Sequence, residues 1–237
     1  MKKRIFYYLA FLLIAFSNTI FGQENLNFSK LSFENWDLSV GYGYTSPDIV
    51  SAEYKVNSPH HDARHNINIV NGYDVNTLSK LRFIPEGESC SVRLGNSNNG
   101  SQSEMLAYTF TVDSENVKGS IYCKYAIVFQ NSLIDKSVNI QPKFKINIYL
   151  NGELLEESFE INPRTNDSKF NLVSLPNRVI KWIDWTTLSF NLSDFNISDQ
   201  IRFEFENYDC AIGRSFGYAY LVTNYVEPNK VVTGVVD

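Results

Sequence analysis

Lys143-Phe144-Lys145-Ile146-Asn147-Ile148-Tyr149-Leu150, followed at once by Asn151-Gly152, decides the fold class. Apolar side chains stand at every second position. An extended chain therefore puts Phe144, Ile146, Ile148 and Leu150 on one face and Lys143, Lys145, Asn147 and Tyr149 on the other. Asn-Gly accepts the positive-φ positions of a tight hairpin turn, so Glu153 to Ile161 is expected to return antiparallel.

Working outward, Gln200–Glu206 repeats the pattern, with Ile201, Phe203 and Phe205 against Arg202, Glu204 and Glu206. Looser versions occur at Ser89–Leu94, Met105–Val112, Ser120–Gln130, Lys169–Leu175, Thr186–Leu192 and Gly217–Tyr225. Turn-forming clusters separate them at Gly95–Ser101, Asp113–Gly119, Asn162–Ser168 and Asp194–Ser198. Roughly nine strands at this spacing, with no interleaved helical periodicity, predict an all-β, two-sheet antiparallel sandwich.

The N-terminus has a different character. Lys2, Lys3 and Arg4 precede an uncharged run from Ile5 to Phe16, and small or polar residues follow from Ser17 to Gly22. That order predicts a secretory signal peptide over residues 1–22, a mature sandwich over 23–226 and a short tail over 227–237. No further apolar run reaches spanning length, so no membrane span is expected in the mature chain. The expected location is outside the cell or on its outer surface. With 43% hydrophobic and 14% aromatic residues the chain can build a large core. The net charge is −5 and no basic stretch follows Arg4, which argues against a nucleic-acid partner. Cys90, Cys123 and Cys210 make an odd count with no metal-ligand spacing, so at most one disulfide could form.

Residues able to carry chemistry are few. His60, His61, Asp62 and His65 hold all three histidines, but Pro59 and the strand-like Ile67–Val70 deny them a helix. The expectation is a solvated loop with Arg64 and His65 turned in to bond the sandwich edge. No nucleophile elbow is present, no cysteine lies in a catalytic signature, and no carboxylate pair stands out. The chain is therefore read as non-catalytic. Exposed aromatic faces can stack on sugar rings while flanking polar groups fix the hydroxyls. Tyr42 and Tyr44, in Gly41-Tyr42-Gly43-Tyr44, and Trp182 are the candidate ligand-binding residues. Trp36 reads as a core anchor.

Several segments, taken in order, also resemble a family. They include Ser32-Phe33-Glu34-Asn35-Trp36, Arg64-His65-Asn66-Ile67, Gly72-Tyr73-Asp74, Val92-Arg93-Leu94-Gly95-Asn96, Asp209-Cys210-Ala211 and Phe216-Gly217-Tyr218-Ala219-Tyr220. From about Leu31 to Tyr225 the chain resembles the N-terminal jelly-roll domain of Bacteroidetes surface and gliding-motility-associated proteins. More remotely it is similar to MAM-type and carbohydrate-binding-module sandwiches. The resemblance implies a jelly roll that serves adhesion, with an extracellular glycan or a surface protein as partner. The alternatives are an architectural spacer with no ligand and a glycan-active hydrolase. It also implies one structural calcium ion tying the termini, for which Glu34, Asp74 and Asp209 are the candidate ligands. Two departures stand against it: Arg214-Ser215 where the family often has Gly-His, and Leu221-Val222-Thr223 where related sandwiches carry an Asp.

Overall fold

The computed structural model describes residues 24–51, 53–56, 62–131, 140–155, 158–164 and 167–228. The expected signal peptide, His60, His61 and most of the expected tail lie outside them. The described residues form fourteen strands in two sheets. Sheet A contains β1 (Trp36–Tyr42), β2 (Ile49–Val50), β6 (Gln102–Thr111), β8 (Lys143–Leu150), β9 (Glu153–Leu154), β10 (Phe159–Ile161) and β13 (Gln200–Tyr208). Sheet B contains β3 (Lys55–Val56), β4 (His65–Asn68), β5 (Ser91–Gly95), β7 (Ser120–Asn131), β11 (Asn171–Leu175), β12 (Arg178–Asn191) and β14 (Gly217–Val226). The orders are β10-β8-β13-β6-β1-β2, with β9 also on β8, and β11-β12-β7-β14-β5-β4-β3. All pairs are antiparallel except β3 with β4. From β6 onward the long strands alternate between the sheets (β6 in A, β7 in B, β8 in A, β12 in B, β13 in A, β14 in B), the winding of a jelly roll.

The stretch that opened the sequence reading is β8 to the residue. Phe144, Ile146 and Ile148 are buried, whereas Lys143, Lys145, Asn147 and Tyr149 are half-buried on the outer face. Asn151 and Gly152 both take positive φ, 52° and 88°, as the turn requires. The return strand is split into β9 and β10. Of the expected strand Thr186–Leu192, Thr186–Asn191 is only the second half of β12, whose register shifts between Ile183 and Thr186. That bulge breaks the period of two and hid the first half. β1 went unread as a strand, although Trp36, Leu38 and Val40 alternate there, because the glycines at its end suggested a loop.

Between the sheets lies one large apolar core. It includes Trp36, Ile67, Leu94, Leu106, Ile127, Phe129, Phe144, Phe205 and Leu221, each contributing on the order of 1.5–3 kcal/mol by leaving water. A second, smaller core lies on the outer face of sheet B. There Ala126, Val128, Ile180, Trp182, Tyr218 and Tyr220 are covered by Leu81, Phe83 and Ile84. The covering segment is pinned by Asp74 N–H to Leu81 O (2.8 Å) and Phe83 N–H to Gly72 O (3.0 Å). A Cβ on Gly72 would come within 2.8 Å of the Phe83 ring, so the crossing needs glycine there.

Candidate functional site

A trough runs along the side of the sandwich where β1 and β2 meet the β3–β4 edge. It consists of two grooves of about 660 Å³ each, which share Ser51 and Tyr54. The first is floored by Phe33, Trp36 and Leu38 and rimmed by Asp37, Met105 and Arg202. The second is lined by Tyr42, Glu53, Lys55, Asp62, Arg64 and Gln102. β1 runs along both grooves: its inward residues join the core, and Tyr42 at its end is 63% exposed. Tyr54 is 36% exposed and meets Phe33 edge to face, with centroids 4.9 Å apart.

Beneath Tyr42 the trough is anchored in the interior. The Arg64 guanidinium carbon lies 5.1 Å from the Tyr42 ring centroid. Arg64 Nε donates to Glu104 Oε1 at 2.8 Å, and Nη2 donates to Gly41 O and Ser103 O, both at 2.7 Å. Glu104 is fully buried, and Asn207 Nδ2 donates to its second oxygen at 2.9 Å. Burial raises the Glu104 pKa, while Arg64 and Asn207 pull it back. Next to Arg64, His65 is buried with Nε2 donating to Met105 O at 3.0 Å, and burial pushes its pKa down to about 4. The expectation that Arg64 and His65 turn inward agrees with this arrangement.

Of the aromatic candidates, only Tyr42 stands free at the trough. Tyr44 is half-buried and folds over the outer face of sheet A, its hydroxyl donating to Gln141 O. It meets Tyr208 edge to face at 6.1 Å, with Lys143 Nζ 4.4 Å from the Tyr44 ring centroid. Burial pushes its hydroxyl pKa far up. Trp182 corrects the reading of an exposed platform: it is 6% exposed and packs in the outer core of sheet B. The β12 register turns Trp182 to the covered face, where Asn171 on β11 and Val128 on β7 flank it. Tyr54 was missed because its short, irregular surroundings show no periodicity.

The three candidate calcium ligands are not brought together. Glu34 is exposed and ion-paired to Lys30 at 2.9 Å. Asp74 has both oxygens filled: Oδ1 accepts from the Asn76 and Thr77 amides, and Oδ2 accepts from the Tyr218 and Tyr220 hydroxyls, both at 2.7 Å. Asp209 accepts from the Gly217 and Gln102 amides at 2.9 and 3.0 Å. Burial, then the nearby Glu104, push its pKa up to about 8, against the pull of those two amides. Among the described residues no three His, Cys, Asp or Glu side chains form a metal-holding group. Sequence order had suggested a shared rim, yet Asp74 lies on the outside of sheet B and Asp209 at the end of β13. This donor set does not fit calcium. Cys90, Cys123 and Cys210 are buried free thiols, and burial raises the pKa values of the first two.

Among the described residues no helix is long and apolar enough to cross a membrane. No protein-family profile and no curated protein sequence matches the chain. Solved structures similar at low identity include the following three. A Caldicellulosiruptor saccharolyticus carbohydrate-binding module, CBM27-1, solved with mannohexaose, is 15% identical over 87% of this chain and 97% of its own, with a TM-score of 0.37. A promiscuous carbohydrate-binding module of the β-sandwich superfamily is 11% identical over 85% of this chain and 60% of its own, with a TM-score of 0.36. The enzymatically active domain of bacteriophage CBA120 tailspike protein 4 is 12% identical over 85% of this chain, with a TM-score of 0.35, and this chain spans about a fifth of it, 21%. Likenesses this loose identify no family, and the assignment as a two-sheet sandwich rests on the strand pairing itself.

Proposed function

We propose that this chain is an exported, non-catalytic carbohydrate-binding module whose ligand lies in the trough between Tyr42 and Tyr54. The observation that carries the reading is the pair of solvent-reaching tyrosines lining a long groove beside Ser51, Glu53, Lys55, Arg64 and Gln102. Tyrosine faces stack on the C–H faces of sugars, and the neighbouring donors and acceptors suit hydroxyl groups. Asp37, which lines the first groove, is paired with Arg202 Nη1 at 2.5 Å, and the buried Glu104 with Arg64. The export part of the proposal rests on the charge and hydropathy order of residues 1–22.

An architectural role has one observation in its favour, the outer face of sheet B filled by large apolar side chains. A glycan array probed with the full chain, with and without calcium, separates the two. It is followed by titration with mannohexaose, cellohexaose and xylohexaose. Saturable binding weakened about tenfold by Tyr42→Ala or by Tyr54→Ala, with no release of reducing ends, supports the module. Absence of binding to every glycan assigns the architectural role.

A further inference from the structure

We propose that Glu104 is a positioning residue for the Tyr42 platform, fixing from inside the sandwich the Arg64 guanidinium on which the exposed ring rests. The inference builds on the binding reading above. Its basis is a continuous run of bonds from one sheet to the groove. Asn207, on β13, donates one amide hydrogen to Gly217 O on β14 at 2.8 Å and the other to Glu104 Oε2 at 2.9 Å. Glu104, on the inward face of β6, takes Arg64 Nε through its other oxygen at 2.8 Å. Arg64 then grips the ends of two paired strands, since Gly41 and Ser103, whose carbonyls accept from Nη2, are register partners. Tyr42 is the next residue on β1.

The chemistry makes this anchor rigid. A guanidinium is planar, so an Nε bond to a carboxylate and two Nη2 bonds to carbonyls define both its plane and its rotation. Glu104 is fully buried, so water does not compete for the carboxylate. The close packing at this point is visible at Gly95, where a Cβ would lie 2.5 Å from Asn207 Nδ2 and 3.1 Å from Glu104 Oε2. An exposed tyrosine ordinarily loses side-chain freedom when a ligand stacks on it. A ring already seated on a fixed cation has less to lose.

The test uses the labelled full chain and begins without ligand. In the wild type we expect a nuclear Overhauser contact between the Arg64 side chain and the Tyr42 ring, and slow solvent exchange of the Arg64 Nε–H. Glu104→Gln keeps the shape and removes the charge, and Arg64→Lys keeps the charge and removes the fork. Each is first checked for an unchanged fold by its methyl spectrum. Both variants should lose the ring contact and give Tyr42 the narrow lines of a free side chain. A wild type without the contact overturns the positioning, and so does a Glu104→Gln variant with the contact intact. Should Glu104→Gln fail to fold, the wild-type contact and Arg64→Lys decide the matter. With mannohexaose as probe, Glu104→Gln and Tyr42→Ala should each weaken binding about tenfold, and the double variant no further, because the two act through one ring. Additive losses overturn the proposal. A wild type that ignores mannohexaose counts against that ligand in the binding reading, and the ligand-free spectra still decide the positioning.

Discussion

On sheet B the side chains pointing away from the main core are Ala126, Val128, Ile180, Trp182, Tyr218 and Tyr220, and Leu81, Phe83 and Ile84 lie over them. On sheet A the corresponding positions of β8 and β13 carry Lys145, Asn147, Arg202 and Glu204, all half-buried at most. Both faces arise from period-two alternation and both belong to long antiparallel strands. The difference lies in the second set of each alternation. Where it is apolar, the chain between β4 and β5 folds back and adds a layer. Where it is charged, the face stays open, and Arg202 bridges Asp37 at 2.5 Å and Glu204 at 2.8 Å across its surface. One outer face is thus sealed by an added layer, and the other stays open to solvent.

The sharpest way to break this contrast is at Asp74, the polar centre of the sealed face. Asp74→Ala strands two tyrosine hydroxyls and two backbone amides, and should cost about 4 kcal/mol at roughly 1–3 kcal/mol per buried group left without a partner, with partial relaxation. Urea unfolding measures the loss. A loss below about 1 kcal/mol would show that the covering layer is not tied down there. Phe83→Ala tests the apolar half of the same layer and should cost about 3 kcal/mol, with the glycan-array profile of the surviving folded protein unchanged.

A pH series sharpens the comparison at the trough side. The folded His65 pKa, about 4, lies below its ordinary 6.5, so the neutral ring favours the folded state. That contribution is fully present above 6.5 and is lost as pH falls towards 4, about 3 kcal/mol in total. Asp209, raised to about 8, acts in the opposite sense, its contribution being lost as pH rises towards 8. The measurement is therefore the stability difference between the wild type and His65→Gln. It should shrink between pH 6.5 and 4, and a constant difference would refute the assignment. On the open face, Arg202→Met should lower stability by less than about 1 kcal/mol, since both its partners reach solvent. Tyr42→Ala should change stability least, within about 0.5 kcal/mol, because the side chain is exposed. Its effect should appear in binding, at about tenfold or ~1.4 kcal/mol.

How much of this was legible in the residues depended on period. β8 and β13 announced themselves because each alternates cleanly and faces the core on one side only. β12 was half seen, since the bulge after Ile183 reverses which residues point inward, and the reversal carried Trp182 to the covered face. The covering segment has no period at all: its place is set by Asp74 meeting Tyr218 and Tyr220 from 144 and 146 residues away. The same holds for the trough. Tyr42 could be picked out from its glycine-flanked context, but Tyr54, from a separate segment, joins it only because the β1–β2 end of sheet A lies beside the β3–β4 end of sheet B.

The sequence by itself determined that the chain is all-β and that its strands pair mostly antiparallel around a large apolar core. These follow from local geometry, because a strand's two faces are written into alternate residues. Only the tertiary structure decided which outer face is sealed, which aromatic residues reach solvent, and that Glu34, Asp74 and Asp209 lie apart. Those outcomes depend on contacts between residues distant in the chain, and a side chain's exposure is a property of what packs against it.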